Sequence, residues 1–306
     1  MPIVPIQIKK GDTRTTYKTI LSYGRSRSGK TRFAATFPRP RFFSEASERG
    51  WTTLETMPSE QFFEPDRPPE VWPIENAEEM AEAFAKTKAD VYEGRILTIV
   101  IDSLTFYSDA YFDDIFRRAS ATAGNRAVDK RALYGALAQH LQNLRTDIHR
   151  WPCNVVWLAL EKTPGEDNPL GGPLLTGQTA QKFPAGCDHV FYHRAYTGNF
   201  QNEENGKVEA MKIFEMRTAP FGPYLAGGRD SGMLPDPIID PSYRQLMEYL
   251  ELPDPLTVKP KAQPPRPAPA VMPAKPATAA PAAAPSGTVV RRTVATPSVS
   301  NPARRS

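Results

Sequence analysis

The segment that most constrains the fold is GRSRSGKT at residues 24–31, which has the G-x-x-x-x-G-K-[ST] spacing of a phosphate-binding loop, or P-loop. Gly24 and Gly29 allow successive backbone N–H groups to point into one concavity that holds an anion. Lys30 is placed to reach the β- and γ-phosphates, and the Thr31 hydroxyl is a suitable Mg²⁺ ligand. The segment therefore predicts a nucleotide phosphate site, and a solvated Gly/Ser/Arg turn is the alternative.

The residues on either side match the structural context that the motif requires. TTYKTILSYG before the loop predicts a β-strand, and KTRFAATFP after it predicts a helix that stops at Pro38. Strand, glycine-containing loop and helix are the order in which this motif binds phosphate. The nucleotide-contacting residues predicted from the loop are Gly24, Arg25, Ser26, Arg27, Ser28, Gly29, Lys30, Thr31 and Arg32.

A second phosphate-site signal follows about 70 residues later in RILTIVIDSLTFY. Four of the five residues at 97–101 are apolar, with Thr98 the exception, and such a run is typical of a parallel strand buried on both faces. The strand ends at Asp102, and an acid at the carboxyl end of such a strand is where a nucleotide-binding fold places its Mg²⁺-orienting carboxylate. We predict this role for Asp102, with a helix N-cap as the alternative.

The rest of residues 1–252 reads as one α/β domain. Residues 50–75 are rich in proline and aromatic residues and predict a long ordered excursion, and residues 163–187 are rich in glycine and proline and predict a mobile loop. Glu161 and Lys162, at the end of a buried strand, either sense the γ-phosphate or form a surface turn. The other predicted elements are a strand at 42–44, an amphipathic helix at 76–90, a helix at 130–151, a strand at 154–160, a hairpin of strands 189–194 and 207–217 with an Asn-Gly turn, and a final helix at 241–252.

Composition separates the C-terminal segment from this domain. Residues 253–306 contain thirteen of the 32 prolines, eight Lys/Arg and one acid, so this segment is more positive than the whole chain at +4. We predict a disordered Pro/Ala-rich basic tail that weakly attracts polyanions, with an inert linker as the alternative. The two cysteines have no CxxC spacing, and no long apolar run is present. These features predict a cytoplasmic protein with no membrane association.

The segments together resemble a known family. GRSRSGKTRFAATFP, FFSEAS, TIVIDSLTFY, TGQTAQKFPAGCDHVFYHR and AGGRDSGMLPDP are similar to a RecA-like P-loop NTPase core. More narrowly, they resemble the phage-encoded AAA-type proteins of the Sak single-strand annealing group. The resemblance implies an α/β fold with a mostly parallel central sheet and a C-terminal β-hairpin. It also implies an ATPase of phage DNA recombination, in the host cytoplasm, that uses ATP and Mg²⁺.

The same resemblance implies partners and further site residues. It implies binding of single-stranded DNA, assembly into a homo-oligomeric ring or filament, and cooperation with a single-strand-binding protein. Glu45, at the end of the FFSE strand, matches the acid that positions the attacking water, with a surface carboxylate as the alternative. Arg229 matches a basic residue that reaches a neighbour's nucleotide, and Arg217 competes for that role. Lys30, Glu45 and Asp102 are the predicted catalytic set.

Positive charges mark candidate contacts outside the nucleotide site. The predicted DNA-binding residues are Arg117, Arg118, Lys130, Arg131 and Lys182, since cations beside aromatics such as Tyr107, Tyr111 and Phe112 suit a sequence-tolerant single-strand site. Arg25 and Arg27 occupy variable loop positions. We expect their side chains to meet an acidic surface of the next protomer, with plain solvated charge as the alternative.

Two other functional classes fit the same motifs. A helicase-loading or DNA-packaging motor would carry the same P-loop and the same acid. A small-molecule kinase would add a lid over its phosphate acceptor, and residues 50–75 are not rich in arginine as such a lid would be.

Overall fold

The fold is a twisted sheet with helices on both faces, shown in a computed structural model that describes residues 17–47, 49–123, 127–166, 169–201, 208–229 and 232–258. The helices are α1 (Lys30–Ala35), α2 (Thr52–Glu55), α3 (Ala77–Tyr92), α4 (Leu104–Ala123), α5 (Lys130–Ile148), α6 (Thr179–Ala185) and α7 (Tyr243–Tyr249). The strands are β1 (Thr19–Gly24), β2 (Pro40–Glu45), β3 (Glu70–Ile74), β4 (Thr98–Asp102), β5 (Asn154–Lys162), β6 (Gly172–Pro173), β7 (His189–Gln201), β8 (Val208–Arg217), β9 (Gly227–Gly228) and β10 (Ile238–Ile239).

The sheet runs in the order β10-β8-β7-β1-β5-β4-β2-β3, with β6 on β5 and β9 on β7. The pairs from β7 through β1, β5, β4 and β2 to β3 are parallel, whereas β7, β8 and β10 pair antiparallel. Strand β5 lies between the P-loop strand β1 and β4. The predicted RecA-like α/β fold with a mostly parallel sheet and a C-terminal hairpin is confirmed.

Strand register brings the two phosphate-site signals to one edge. Gly24 pairs with Leu160, and Asp102 pairs with Leu158 two residues earlier on the same central strand. On the other side Asp102 pairs with Ser44, so Glu45 is the next residue along β2. Because parallel strands end at the same edge, the P-loop, Asp102 and Glu45 all lie at the carboxyl edge of the sheet.

Each face of the sheet is covered by its own apolar core. One core packs α3, α4, α5 and α6 against Leu21, Ile101 and Trp157, and the other packs α1 and α7 against Ile20, Val100 and other strand residues. The central strands are apolar on both sides for this reason. The predicted helices are confirmed as α1, α3, α5 and α7. In α3, Asn76 caps the N-terminus by accepting a hydrogen bond from the Glu79 backbone N–H.

The excursion predicted at residues 50–75 contains a strand that the sequence pattern did not show. Its last residues form β3, which pairs in parallel with β2 at the edge of the sheet, where Pro73 is tolerated. Arg41, 6% exposed at its side chain, joins the two strands through an ion pair of 2.7 Å to Glu70. Its guanidinium also lies 4.3 Å from the centroid of the Trp72 ring. A long-range contact rather than local periodicity therefore fixes this strand.

The loop predicted at residues 163–187 contains a short strand and a helix that the sequence pattern did not show, while its mobility stays a prediction. Residues 172–173 pair with the end of β5, and residues 179–185 form α6. Phe183 is buried with its ring centroid 5.1 Å from that of Trp157, which holds α6 on the sheet. Burial of this aromatic side chain offsets the entropy of ordering a glycine-rich segment.

Two other predictions concern regions at the limits of the described chain. The Asn-Gly turn of the hairpin lies outside the described residues, as does the tail after residue 258. The boundary between residues 252 and 253 stays a prediction, although Pro255 just beyond it is buried. Among the residues with described placement, no helix is long and apolar enough to span a membrane.

Core packing behind α5 gives a stability prediction. Leu141 is 0% exposed, and Leu144 on the next turn packs only partly against the same core. We expect Leu141→Ala to lower the free energy of unfolding by about 2–5 kcal/mol because it leaves a cavity. Leu144→Ala is the control and should lower the free energy of unfolding markedly less. Urea denaturation measures both, and equal losses would contradict the packing described here.

Candidate nucleotide site

The P-loop wraps around the ammonium group of Lys30. Lys30 Nζ donates hydrogen bonds to the carbonyl oxygens of Gly24 at 3.0 Å and Arg25 at 2.7 Å. The residue is only 7% exposed. The ammonium is thus held at the centre of the loop, where the β- and γ-phosphates of a nucleotide bind.

Both motif glycines are required because neighbouring atoms lie too close to leave room for a Cβ atom. A Cβ atom at Gly24 would lie 2.2 Å from the His193 carbonyl oxygen on β7. Gly29 has φ +94°, and a Cβ there would lie 2.6 Å from Phe214 Cδ1 on β8. The left-handed conformation and the contact with an aromatic ring both exclude a side chain at position 29.

Thr31 and Asp102 meet as the two signals predict. Thr31 Oγ1 donates to Asp102 Oδ2 at 2.9 Å. Burial raises the pKa of the Asp102 carboxyl, and the Thr31 hydroxyl bond and the Lys30 charge partly offset this effect. A hydroxyl and a carboxylate oxygen this close form the hard-oxygen donor pair that Mg²⁺ prefers, with phosphate oxygens completing its shell. The residues present therefore fit a Mg²⁺–nucleotide complex.

A cleft of about 680 Å³ opens over the loop. It is lined by the loop residues Ser26, Arg27, Ser28, Gly29, Lys30, Thr31 and Arg32, by Asp102, by Arg49, Gly50, Thr52, Thr53, Glu55, Thr56 and Met57, and by Lys212 and Phe214 of β8. Gly24 and Arg25 do not line it, and they contact Lys30 through their carbonyls instead. The volume is within the range of small-molecule and cofactor sites, about 300–1,000 Å³.

Glu45 lies beside Asp102 but not in the cleft. It lines a smaller cavity that shares Asp102 with the cleft and also includes Glu75, Asn76 and Tyr107. The Ser47 hydroxyl donates to Glu45 Oε1 at 2.6 Å. Strand spacing puts the Cα atoms of Glu45 and Asp102 about 6 Å apart. Glu45 is therefore adjacent to the predicted Mg²⁺ ligand, on the side away from Lys30.

Glu161 is a buried carboxylate at the carboxyl end of β5, so the surface-turn interpretation of this residue is wrong. Its side chain is 4% exposed and accepts a hydrogen bond from Arg25 Nε at 2.8 Å. Burial and the Glu161 charge raise the pKa of Tyr192 on β7, which β1 separates from β5. Arg25 thus has an acidic partner within its own chain, and its side chain is 73% exposed. Its contact with a neighbouring protomer stays a prediction.

His193 also lies against the loop, but it is unsuited to proton transfer near neutral pH. Burial, together with the Lys30 charge, lowers the pKa of His193 to about 3. Its Nε2 is 3.2 Å from the Ser22 hydroxyl. The ring therefore stays neutral and packs beside Phe33.

Arg229 lies at the opposite edge of the sheet from the P-loop of its own chain. It follows β9, which pairs with the first residues of β7. Arg229 donates to the Ala185 carbonyl at 2.9 Å and lies 3.8 Å from the Asp188 carboxylate. Arg217, its competitor, forms an ion pair of 2.8 Å with Asp236. The trans role of Arg229 stays a prediction.

The predicted DNA-binding cations separate into two places. Arg117, Arg118, Lys130 and Arg131 lie on the adjoining ends of α4 and α5, which form a helical hairpin. Lys182 lies on α6 beside Arg145, which is about 20 Å along α5 from Arg131. The structure does not bring Lys182 together with the other four.

The aromatics expected beside these cations differ in exposure. Tyr107 is buried and bonded to His140, and the Tyr111 ring stacks on His140 at 3.7 Å, so these two serve helix packing. Phe112 instead stacks on Tyr134, which is 45% exposed. The Phe116 ring lies under the Lys130 ammonium at 5.7 Å. The outer end of the hairpin therefore keeps an aromatic group next to its cations.

Comparison with known proteins agrees with this geometry. The family model described as an AAA domain matches residues 16–210, about two thirds of the chain. This chain belongs to that AAA family. The AAA domain here is a P-loop ATPase domain, with Lys30, Thr31 and Asp102 in one site.

A solved structure is also similar to the chain. It is a KaiC-like protein from the hyperthermophilic archaeon Pyrococcus horikoshii, with 17% identity and a TM-score of 0.35. The match covers 65% of this chain and 78% of that one. No curated protein matches the chain.

Sequence reasoning missed part of the wall of the AAA nucleotide cleft. Lys212 Nζ donates to the Arg27 carbonyl at 3.0 Å, and the Phe214 ring abuts Gly29. The alternation of Lys212, Phe214 and Met216 along β8 placed them on one face, but alternation does not say which face meets the loop. The residues from Arg49 to Met57 lacked a periodic signal.

The closeness of Gly29 to Phe214 gives a prediction with a matched control. We expect Gly29→Ala to abolish tight nucleotide binding and lower the melting temperature, because the new Cβ meets the ring and φ is positive. Gly135→Ala is the control, since a Cβ there meets nothing within 4 Å in the interior of α5. It should stabilise the fold by about 0.5–1 kcal/mol and leave binding unchanged. Fluorescent-nucleotide titration and thermal unfolding measure both, and full affinity in Gly29→Ala would contradict the described loop.

Proposed function

We propose that this AAA-family ATPase acts in phage DNA recombination, where it binds single-stranded DNA and uses ATP hydrolysis to promote annealing or strand exchange. The hydrolytic part rests on one observation, the meeting of Lys30, Thr31 and Asp102 at the carboxyl edge of the sheet. The DNA part is supported by the resemblance of the motif segments to the single-strand annealing group and by the exposed cations of the α4–α5 hairpin.

The phosphate end of the nucleotide would lie in the P-loop. Backbone N–H groups of residues 25–31 bind the phosphate oxygens, and the Lys30 ammonium turns from the Gly24 and Arg25 carbonyls to the β- and γ-phosphates. Thr31 and Asp102 would hold Mg²⁺, which neutralises charge on the phosphates when bound. Hydrolysis then depends on positioning more than on covalent chemistry by the protein.

Glu45 is proposed to orient the attacking water. Its carboxylate follows β2 next to Asp102 and lines the cavity that adjoins the cleft. A carboxylate in this place can accept a proton from water as the water attacks in line with the γ-phosphate. A rotation about its side-chain torsions is needed, since Glu45 presently accepts from Ser47.

Single-stranded DNA is proposed to bind the outer end of the α4–α5 hairpin. Buried residues of α4 end at Ser108, and those of α5 begin at Leu137, so the outer parts of both helices face solvent. Arg117, Arg131 and the ring of Tyr134 are exposed there. Cations that follow phosphates beside an aromatic that stacks a base are the elements of a sequence-tolerant site.

Assembly into a ring or filament would place copies of this site side by side along a strand. Arg229, 63% exposed and remote from its own P-loop, is the proposed contact with a neighbour's nucleotide. The proposed further partner is a single-strand-binding protein that presents the DNA.

Steady-state ATP turnover tests the hydrolytic proposal. We expect single-stranded DNA to stimulate turnover by the wild-type chain, and Lys30→Ala to lower it at least about 100-fold because the phosphate-binding cation is lost. Glu45→Gln should lower kcat by about 100-fold or more while nucleotide affinity is retained.

Glu75→Gln is the control, because Glu75 lines the same cavity as Glu45 but has no proposed role. Equal effects of the Glu45 and Glu75 changes would contradict the role of Glu45. Turnover that responds only to double-stranded DNA or to a helicase would instead support a loading or packaging motor.

Binding of labelled single strands over a salt series tests the hairpin. We expect Arg117→Ala with Arg131→Ala to weaken binding and to reduce the slope of log affinity against log salt by about 1.4, since two phosphate contacts are lost. The control, Lys86→Ala with Arg150→Ala, removes the same charge from other exposed positions. Equal losses in the two double variants would show a general charge effect and contradict the proposed surface.

A further inference from the structure

The geometry points to Phe214 as the platform on which the base of the bound nucleotide stacks, in a subsite that prefers purine nucleoside triphosphates. This inference deepens the proposed function, because it rests on nucleotide binding by the P-loop. The loop accounts for the phosphates, but it forms only part of the cleft of about 680 Å³. The cleft is also lined by residues of the segment from Arg49 to Met57, by Asp102 and by Lys212 and Phe214 of β8.

Hairpin register directs Phe214 towards the loop. Residues opposite each other in an antiparallel pair share a face, and Phe214 lies opposite Ala195 while Met216 lies opposite His193. Met216 is 0% exposed and belongs to the core that contains Phe33 of α1. Phe214, two residues before Met216, is therefore on the face that looks at α1 and the P-loop.

The ring is fixed against the loop at the position next to Lys30. Its Cδ1 atom would be 2.6 Å from a Cβ at Gly29, so the ring touches the backbone of the phosphate-binding turn. Phe214 is half-buried, with the rest of its surface in the cleft. A base linked through ribose to phosphates in this loop is within reach of the ring.

Two cations that line the cleft lie over the Phe214 ring. The Arg32 guanidinium lies 5.2 Å and the Lys212 ammonium 5.0 Å from the ring centroid. Both side chains also line the cleft. A cation over an aromatic face occupies the place that a stacked base takes, and long flexible side chains yield it readily. The displaced charge then lies near the phosphates, since Lys212 already bonds to the Arg27 carbonyl.

The segment from Arg49 to Met57 can accept either purine base. It offers hydroxyl groups of Thr52, Thr53 and Thr56 and the thioether of Met57. A hydroxyl is both donor and acceptor, so it can pair with the edge of adenine or of guanine. The subsite therefore discriminates by stacking area, which favours the two-ring bases over cytosine and uracil.

The test separates the contribution of the base to binding affinity from the contribution of the phosphates. Wild type, Phe214→Leu and Phe214→Tyr are titrated with ATP, GTP, CTP and inorganic tripolyphosphate in the presence of Mg²⁺. Leucine fills the space beside Gly29 without an aromatic face, and tyrosine restores that face. Phe221→Leu is the control, because Phe221 packs on Arg217 and Tyr192 away from the cleft.

We expect wild type to bind ATP and GTP within a few-fold of each other and both more tightly than CTP. Phe214→Leu should lower the affinity for ATP and GTP about tenfold, while its affinity for tripolyphosphate should change less than about twofold. Phe214→Tyr should bind ATP with the affinity of wild type. If Phe214→Leu lost equal affinity for ATP and tripolyphosphate, or lost no affinity for ATP, this inference alone would be overturned. A wild-type chain that binds neither ATP nor tripolyphosphate would overturn the proposed function together with it.

Discussion

The hydrogen bond between the Thr31 hydroxyl and the buried Asp102 carboxylate is the interaction on which the site depends. It joins the first turn of α1 to the end of β4 at 2.9 Å, although the residues are 71 positions apart. The bond forms only because β5 separates β1 from β4 by one strand and all three end at the same edge. Burying a carboxylate without a full positive partner costs free energy. The fold bears that cost at the position where a nucleotide-bound cation can offset it.

At the same edge of the sheet, the charged side chains are separated into those that face the cleft and those that do not. Lys30 and Asp102 face the cleft, whereas Glu161 lies behind the loop and holds Arg25 outside it. The cations at the outer end of the α4–α5 hairpin lie on helices that begin at β4 and return to β5. The nucleotide site and the proposed DNA surface therefore depend on the same two strands without sharing residues.

Local sequence patterns predicted the parts of the site that neighbouring residues determine. The glycine spacing and the apolar run before Asp102 each specify a short segment, so the P-loop and the acid were predictable. Phe214 in the cleft was not, since period-two alternation leaves open which face of a strand meets the loop. The bond between Arg25 and Glu161 joins residues 136 positions apart, and the edge strand β3 depends on Arg41. Such contacts depend on topology rather than on propensity.

The hairpin of β7 and β8 holds the phosphate loop at three points, through the His193 carbonyl at Gly24, Lys212 at the Arg27 carbonyl and Phe214 at Gly29. A loop held in this way cannot rearrange around phosphate without moving the hairpin. The opposite face of the hairpin exposes Tyr196 and Met211. Thermodynamic linkage is reciprocal, so a ligand of that face that changes phosphate affinity by a given factor has its own affinity changed by phosphate by the same factor. The second strand of the hairpin thus connects an exposed surface directly to a wall of the cleft.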